Sequence, residues 1–305
     1  MTDLPASRHA IVILNPEAGR RGPVSTNVAA TEAIARALDL AGLRYELMVP
    51  DEPDAIPLLA QTAVERGVEL VVAAGGDGTV RMVAGAVIGS RATLGILPLG
   101  SVMNIARMLE IPRELDQAAA LLATAPPVPI DIGEVDGQRF FEGVSIGLSS
   151  EVFRFVDQLQ QGQFSSPMAF LRTVRRYRPR RVRLLIDNRP FTARALAVVI
   201  ANGPYVGAGL TVAPDARLDD GLLDVVLFRR FSRWDLLRHF VGIAFGRRRS
   251  HPRIMTLAGK HIRVEARSPL PVRADGNDLG TTPAEVWVVP RAVRVIAGLQ
   301  RPHPS

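Results

Sequence analysis

Gly75-Gly76-Asp77-Gly78-Thr79 combines three flexible backbone positions with a carboxylate and a hydroxyl. The run follows an apolar stretch, residues 68–74, and opens a helix-patterned one, residues 79–88. Glycines let a backbone approach a ligand closely and adopt positive φ. A helix start offers free N–H groups and positive potential to an anion. The chemistry is that of phosphate binding. Asp77 would repel a phosphate unless a divalent cation stood between them, which points to Mg²⁺. A tight strand-to-helix turn without a ligand uses the same residues, so this run by itself leaves both readings open.

Two more glycine-containing runs sit in equivalent places. Asn15-Pro16-Glu17-Ala18-Gly19 follows the apolar residues 10–14, and Pro98-Leu99-Gly100-Ser101 follows residues 93–97. In an open parallel sheet all three emerge at the carboxyl ends of strands, where ligands bind. Asp219-Asp220-Gly221 is a further carboxylate pair; by residue type it is good β-turn chemistry before it is a metal site. The histidines show no metal-ligand spacing.

The elements that must position these loops alternate. Residues 10–14, 44–49, 68–74 and 93–97 read as strands, the first and third apolar enough for a parallel sheet buried on both faces. Helical spacing covers a segment around Ile34, Leu38 and Ala41, with Ser25 and Thr26 as candidate caps, and then 54–66, 79–88, 101–109 and 114–123. This order predicts an α/β nucleotide-binding domain with an open, Rossmann-like parallel sheet. At Pro126-Pro127-Val128-Pro129 the helical pattern gives way to short β-rich runs: 128–135, 139–146, 182–186, 191–201, 222–228, 261–266 and 284–289. Helical segments at 151–161 with 167–176, and at 232–246, interrupt them. The second half therefore reads as a mostly antiparallel β-sandwich.

The length, 305 residues, allows one large domain or two ordinary ones, and 47% apolar residues supply a sizeable core. The absence of cysteine excludes disulfides, thiolate metal sites and a cysteine nucleophile. The first residues carry no signal-peptide pattern, and no stretch approaches the roughly 18 apolar residues of a membrane span. The expected location is the cytoplasm. A net charge of +7, nearly all of it arginine with Lys260 the sole lysine, favours anionic partners. Arg172, Arg175, Arg176, Arg178, Arg180, Arg181 and Arg183 form one basic run and Arg247, Arg248 and Arg249 another. Either is a solvated face or a contact with an anionic membrane.

Taken in order, six motifs resemble the diacylglycerol kinase catalytic family, which includes YegS-type bacterial lipid kinases and sphingosine kinases. They are Asn15-Pro16-x-Ala18-Gly19, Gly75-Gly76-Asp77-Gly78-Thr79, Leu97-Pro98-Leu99-Gly100-Ser101, Gly143-Val144-Ser145-Ile146-Gly147-Leu148, Pro214-x-Ala216-x-Leu218-Asp219-Asp220-Gly221-Leu222-Leu223-Asp224-Val225, and Asp275-Gly276. The second and fifth are the specific ones, and the resemblance runs from residue 10 to about 296. It implies a nucleotide-binding domain over residues 1–128, rejoined by residues 291–305, and a lipid-substrate β-sandwich over 129–290. It implies transfer of the γ-phosphate of ATP to a lipid hydroxyl, diacylglycerol or a related lipid, with Mg²⁺. Residues 15–19, 75–79, Gly100 and Ser101 would hold the nucleotide, with Ser101 replacing a family threonine; apart from the resemblance, Arg20 or Arg21 beside the first loop would help to neutralise phosphate where no P-loop lysine is present. Asp220, with backbone carbonyls of Arg217 and Leu222, would hold the metal. Asp275 would be the proton acceptor. Asn277 stands where the family has glutamate and cannot act as a base. Met103 stands where the family often has asparagine.

The implied partners are ATP and a lipid presented at a membrane surface, with peripheral association to anionic membrane and a homodimer as further expectations. Nucleic acid is not among them, since 5% aromatic residues supply no stacking platform. Two alternatives remain at this level. A NAD kinase shares the Gly-Gly-Asp-Gly-Thr loop, but its usual Asn-Glu pair is replaced here by Arg81-Met82-Val83-Ala84-Gly85. A nucleotide or lipid sensor with weakened catalysis would explain Met103 and Asn277. The missing Walker sequence excludes a P-loop mechanism.

Overall fold

The computed structural model describes residues 8–15, 17–18, 27–160, 167–207, 209–229, 231–244 and 253–298. Contacts divide the chain into two units, Met1–Ile130 with Arg291–Ser305, and Asp131–Pro290.

Strands in the first unit are apolar along nearly their whole length. They alternate with helices in the order β1 (His9–Leu14), α1 (Asn27–Leu40), β2 (Arg44–Met48), α2 (Ile56–Glu65), β3 (Leu70–Gly75), α3 (Asp77–Val87), β4 (Thr93–Pro98), α4 (Asn104–Met108) and α5 (Leu115–Thr124). β3 and β4 are buried at every residue, and β1 at all but His9. β1 pairs in parallel with β2 on one side and β3 on the other, and β3 pairs in parallel with β4. The chain therefore moves outward from β1 to β2 and then returns past β1 to β3. This reversal is a topological switch point, and in such sheets ligands bind outside the carboxyl ends of the two strands that flank it. α1 packs with α5 and α2 with α3, and right-handed crossovers place the two pairs on opposite faces. Gly95 lets α5 sit against β4: a Cβ there would lie 2.7 Å from Leu122.

β5 (Pro127–Val135) leads into the second unit. There follow β6 (Gln138–Phe140), β7 (Gly143–Gly147), α6 (Leu148–Gln160), α7 (Pro167–Arg176), β8 (Arg180–Ile186), β9 (Arg189–Ala201), β10 (Tyr205–Val206), β11 (Leu210–Thr211), β12 (Leu223–Arg229), α8 (Arg233–Ala244), β13 (Ile254–Gly259), β14 (His261–Ala266), β15 (Pro271–Ala274), β16 (Asn277–Thr281) and β17 (Ala284–Ile296). Pairing here is antiparallel. The first half of β9 pairs with β8, and its second half lies between β7 and β12. Its alternating side chains reach two cores. Val198 and Ile200 join the core of the β-sandwich, whereas Ala197, Val199 and Ala201 meet residues of α6 and α8 such as Phe153 and Phe240. Beyond Pro290, β17 adds a parallel partner to β4 through Arg294 and Val295 in the first unit.

Three expectations shift. The helix expected from residue 101 begins at Asn104, because Met103 takes a left-handed φ of 55° that no helix interior accepts. The strand expected over 139–146 breaks at Phe141-Glu142 into β6 and β7. The short strands β13, β15 and β16 carry too little apolar alternation to be read from sequence. Ser25 and Thr26 lie outside the described residues.

Candidate active site

At the switch point the loops after β1, β3 and β4 are tied to one another. Asn15 Nδ2 donates to Thr79 Oγ1 at 2.8 Å, and the Asn15 N–H donates to the Ala74 carbonyl at 3.0 Å. Its Oδ1 accepts the Glu17 N–H at 2.9 Å, and its carbonyl accepts the Ala18 N–H, which folds the chain back at residue 15. Glu17 is exposed and Ala18 half-buried. Pro16, Gly19, Arg20 and Arg21 lie outside the described residues. Across the sheet, the Leu99 N–H donates to the Gly75 carbonyl at 3.0 Å.

Asp77 makes the remaining tie. Its Oδ2 accepts the Asn104 N–H at 2.9 Å and its Oδ1 the Ile105 N–H at 3.0 Å, so one carboxylate caps the start of α4. The structure thus gives Asp77 a protein partner for its charge. Arg113 holds the third loop, donating from Nη2 to the carbonyls of Gly100 and Ser101 at 2.8 and 2.9 Å. Ser101 is exposed.

The glycines allow this closeness. A Cβ on Gly75 would lie 2.3 Å from Thr79 Oγ1, and one on Gly100 would lie 2.8 Å from Gly76 Cα. Gly76 is the N-cap of α3 and offers no side-chain cap. The first N–H groups of a helix have no carbonyl partner within it, so they remain available to an anion. Gly78 is exposed, with nothing within 4 Å of a Cβ placed on it. Met103, 1% exposed, packs beneath Gly100.

In the second unit, Asp275-Gly276 forms the turn of the β15–β16 hairpin, with Ala274 opposite Asn277. Both turn residues have positive φ, 43° and 86°, as a type I′ turn requires. The pair is thus a hairpin turn that also carries a buried carboxylate. Asp275 is 7% exposed. Its carboxylate accepts N–H groups of Phe141 at 2.7 Å, Glu142 at 3.0 Å and Gly143 at 3.1 Å. These bonds are why the strand expected over 139–146 breaks. Asp275 and Gly276 line a cavity of ≈ 10 Å³ with Gly143, Ser145, Phe153 and Gly207, about the space one water requires. Asn277 is exposed. Asp278 meets Arg273 Nε at 2.9 Å and Arg154 Nη2 at 3.2 Å.

The Asp219-Asp220-Gly221 run is a turn, with Gly221 at φ 72°. Buried Asp131 pins it: its Oδ2 accepts the Gly221 N–H at 2.7 Å and its own N–H donates to the Leu218 carbonyl at 2.6 Å. Asp220 Oδ1 accepts the Leu222 N–H at 3.0 Å, and the Arg217 side chain pairs with Asp219 at 3.1 Å. Burial first, then the charges of Asp220 and Asp215, push the Asp224 carboxyl above the usual carboxylate value. These carboxylates influence one another, yet among the described residues no three acidic or histidine side chains converge on one point. The donors are all oxygens, which suits a hard cation that keeps most of its water.

Residues 9–135 match the family model for a diacylglycerol kinase catalytic domain, and residues 142–297 match that for a YegS C-terminal NAD kinase beta sandwich-like domain. A diacylglycerol kinase of Mycobacterium tuberculosis is 31% identical over 302 residues, 95% of this chain and 96% of the relative. The chain belongs to the diacylglycerol kinase family. A diacylglycerol kinase of Bacillus subtilis is 28% identical over 78% of this chain and 80% of its own length. A solved structure of a diacylglycerol kinase from Bacillus anthracis shares the fold, with a TM-score of 0.75 and 20% identity over 97% of this chain and 98% of that one. As a member of this family the protein is a lipid kinase, a phosphotransferase. Within this kinase the structure joins Asn15, Thr79, Asp77 and the Gly100 loop in one unit. Asp275 and the Asp220 turn belong to the other. Arg113 and Asp131 escaped the sequence reading. Asp131 left one trace, a charged residue flanked by Ile130 and Ile132 in a strand pattern.

Proposed function

We propose that this lipid kinase transfers the γ-phosphate of ATP to a lipid hydroxyl, that diacylglycerol is the acceptor, and that Mg²⁺ is the metal. What carries the nucleotide half is the tying of three strand-end loops at the β1–β3 switch point, with open N–H groups at the start of α3. The acceptor class follows from the names of the relatives. Asp220 with the carbonyls of Arg217 and Leu222 would hold Mg²⁺, whose charge would be met there by oxygen donors.

Phosphoryl transfer passes through a loose transition state, so positioning counts for more than basicity. Asp275 suits that role. Three N–H bonds fix its carboxylate and stabilise the anion. In this reading it orients the acceptor hydroxyl and takes its proton late. Asn277 supplies hydrogen bonds only. The exposed arginines of α7 and β8 would meet an anionic membrane at about 1 kcal/mol each. Among the described residues, no helix is long and apolar enough to cross a membrane. The second basic run, residues 247–249, lies outside them.

Purified diacylglycerol dispersed with anionic phospholipid should take label from γ-labelled ATP in Mg²⁺, whereas NAD should not; the reverse would make the protein a NAD kinase. A variant tests the loop itself. Gly78→Ala points its methyl into open space, so folding should be unchanged or improved by up to about 1 kcal/mol. The KM for ATP should nevertheless rise at least tenfold, because that space is where a phosphate would sit. An unaltered KM would move the phosphate elsewhere.

A further inference from the structure

We infer that the second unit carries a separate site for a phosphate ester, in a cavity of ≈ 290 Å³ lined by Thr173, Arg176, Tyr177, Arg178, Arg180 and residues 269–271. Charge is the first support. Arg176, Arg178 and Arg180 are exposed, and among the described residues no carboxylate lies within ion-pair distance of them. Some other arginines of this unit do meet a carboxylate, as Arg238 meets Asp235 and Arg263 meets Glu265 and Glu285. Three unneutralised guanidinium groups around one cavity form the fork geometry that phosphate oxygens accept.

The site is also built. α7 ends at Arg176, residues 177–179 run without regular structure, and Arg180 opens β8. Tyr177 anchors this crossing by packing against both hydrophobic cores. Its hydroxyl is buried without a hydrogen-bond partner. The carbonyl of Arg175, at the negative end of α7, is taken by Arg233 Nη1 at 2.6 Å. That contact weakens the repulsion a helix C-terminus would exert on an anion. Pro269, Leu270 and Pro271 form the opposite wall, apolar enough for the carbon end of an ester. The volume lies at the lower limit of small-ligand pockets, about 300 Å³, which suits a glycerol phosphate and is tight for a nucleotide. Pro271 starts β15, and Asp275 follows its other end. Asp275 lies four residue steps, about 13 Å, from Pro271 of the cavity wall. The cavity is thus a different place from the Asp275 turn, held on the same strand.

The shared chemistry is a phosphate ester of glycerol, which reaches the cavity either as a soluble ester or as a phospholipid headgroup. The test measures binding of full-length protein to sn-glycerol 3-phosphate, and separately to phosphatidylcholine vesicles with and without phosphatidylglycerol. Arg176→Ala/Arg178→Ala/Arg180→Ala should weaken one of these at least tenfold. Arg172→Ala/Arg175→Ala/Arg181→Ala removes equal charge from the same run outside the cavity; it should cost no more than twofold with the soluble ester, and at least threefold less than the first triple variant with anionic vesicles. The probe that responds names the source. All six arginines are exposed, so thermal unfolding should match the unaltered protein. If the first triple variant misfolds, Arg178→Ala alone should still cost at least threefold. Equal losses in both triple variants, or no loss in either, would overturn the site and leave a diffuse basic surface.

Discussion

Asp275→Ala should lose lipid phosphorylation by about a thousandfold or more, the scale expected when a positioned acid–base group is removed. It should also destabilise the second unit. Truncation strands three buried N–H groups, those of Phe141, Glu142 and Gly143, each worth about 1–3 kcal/mol when left without an acceptor. The adjoining cavity and the volume vacated by the side chain admit water, which would recover part of this. The net loss should be about 3 kcal/mol by denaturant unfolding. Asp275→Asn separates the two roles. It keeps the volume, but must turn its amide N–H₂ toward at least one of the same donors. Its stability loss should be smaller and its loss of turnover similar. Nucleotide binding, which we propose for the loops of the other unit, should stay within twofold for both. Turnover within tenfold of the unaltered enzyme would remove Asp275 from the reaction and leave it as a brace for the start of β7.

Gly100→Ala should damage the proposed nucleotide site by a different route. The added Cβ meets the Cα of Gly76 at 2.8 Å and the sulfur of Met103 at 2.8 Å. The sulfur can move; the Gly76 backbone is fixed by its place at the start of α3. The two loops must separate by several tenths of an ångström, and the phosphate-facing N–H groups move with them. Misplacement near 1 Å can cost a hundredfold. The KM for ATP should rise between tenfold and a hundredfold, and activity with any lipid should fall in parallel. Gly78→Ala makes the informative contrast. It adds the same methyl two residues into the helix without a clash, so it should affect nucleotide binding while sparing stability. If Gly100→Ala left the KM within twofold, the contact of the two loops would be incidental to nucleotide binding.

Much of this site was legible in the sequence. The strands that carry the loops are short, fully apolar and rich in β-branched residues, and each is followed directly by glycine, asparagine or proline. That local pattern marks Asn15, Gly75–Thr79 and Gly100 as residues of strand-end loops. The ties between them were not legible. Asp77 caps a helix 27 residues away, Asp131 pins a turn 90 residues away, and Asp275 gathers N–H groups more than 130 residues distant. Side-chain-to-backbone bonds of that range leave no periodicity, and Asp-Gly dipeptides look alike whether or not the carboxylate is occupied. The left-handed turn at Met103 was hidden for a related reason. A buried methionine at positive φ contradicts its own local preference, and only packing beneath Gly100 accounts for its place.

The most direct test of the account is to incubate the full-length protein with a total lipid extract, Mg²⁺ and γ-labelled ATP, and to identify every labelled product by mass spectrometry. The predicted result is label in a phosphorylated lipid, phosphatidic acid first, that disappears in Asp275→Ala and Gly100→Ala. ATP bound normally with no labelled lipid would contradict it, and would make the three tied loops the binding site of a sensor.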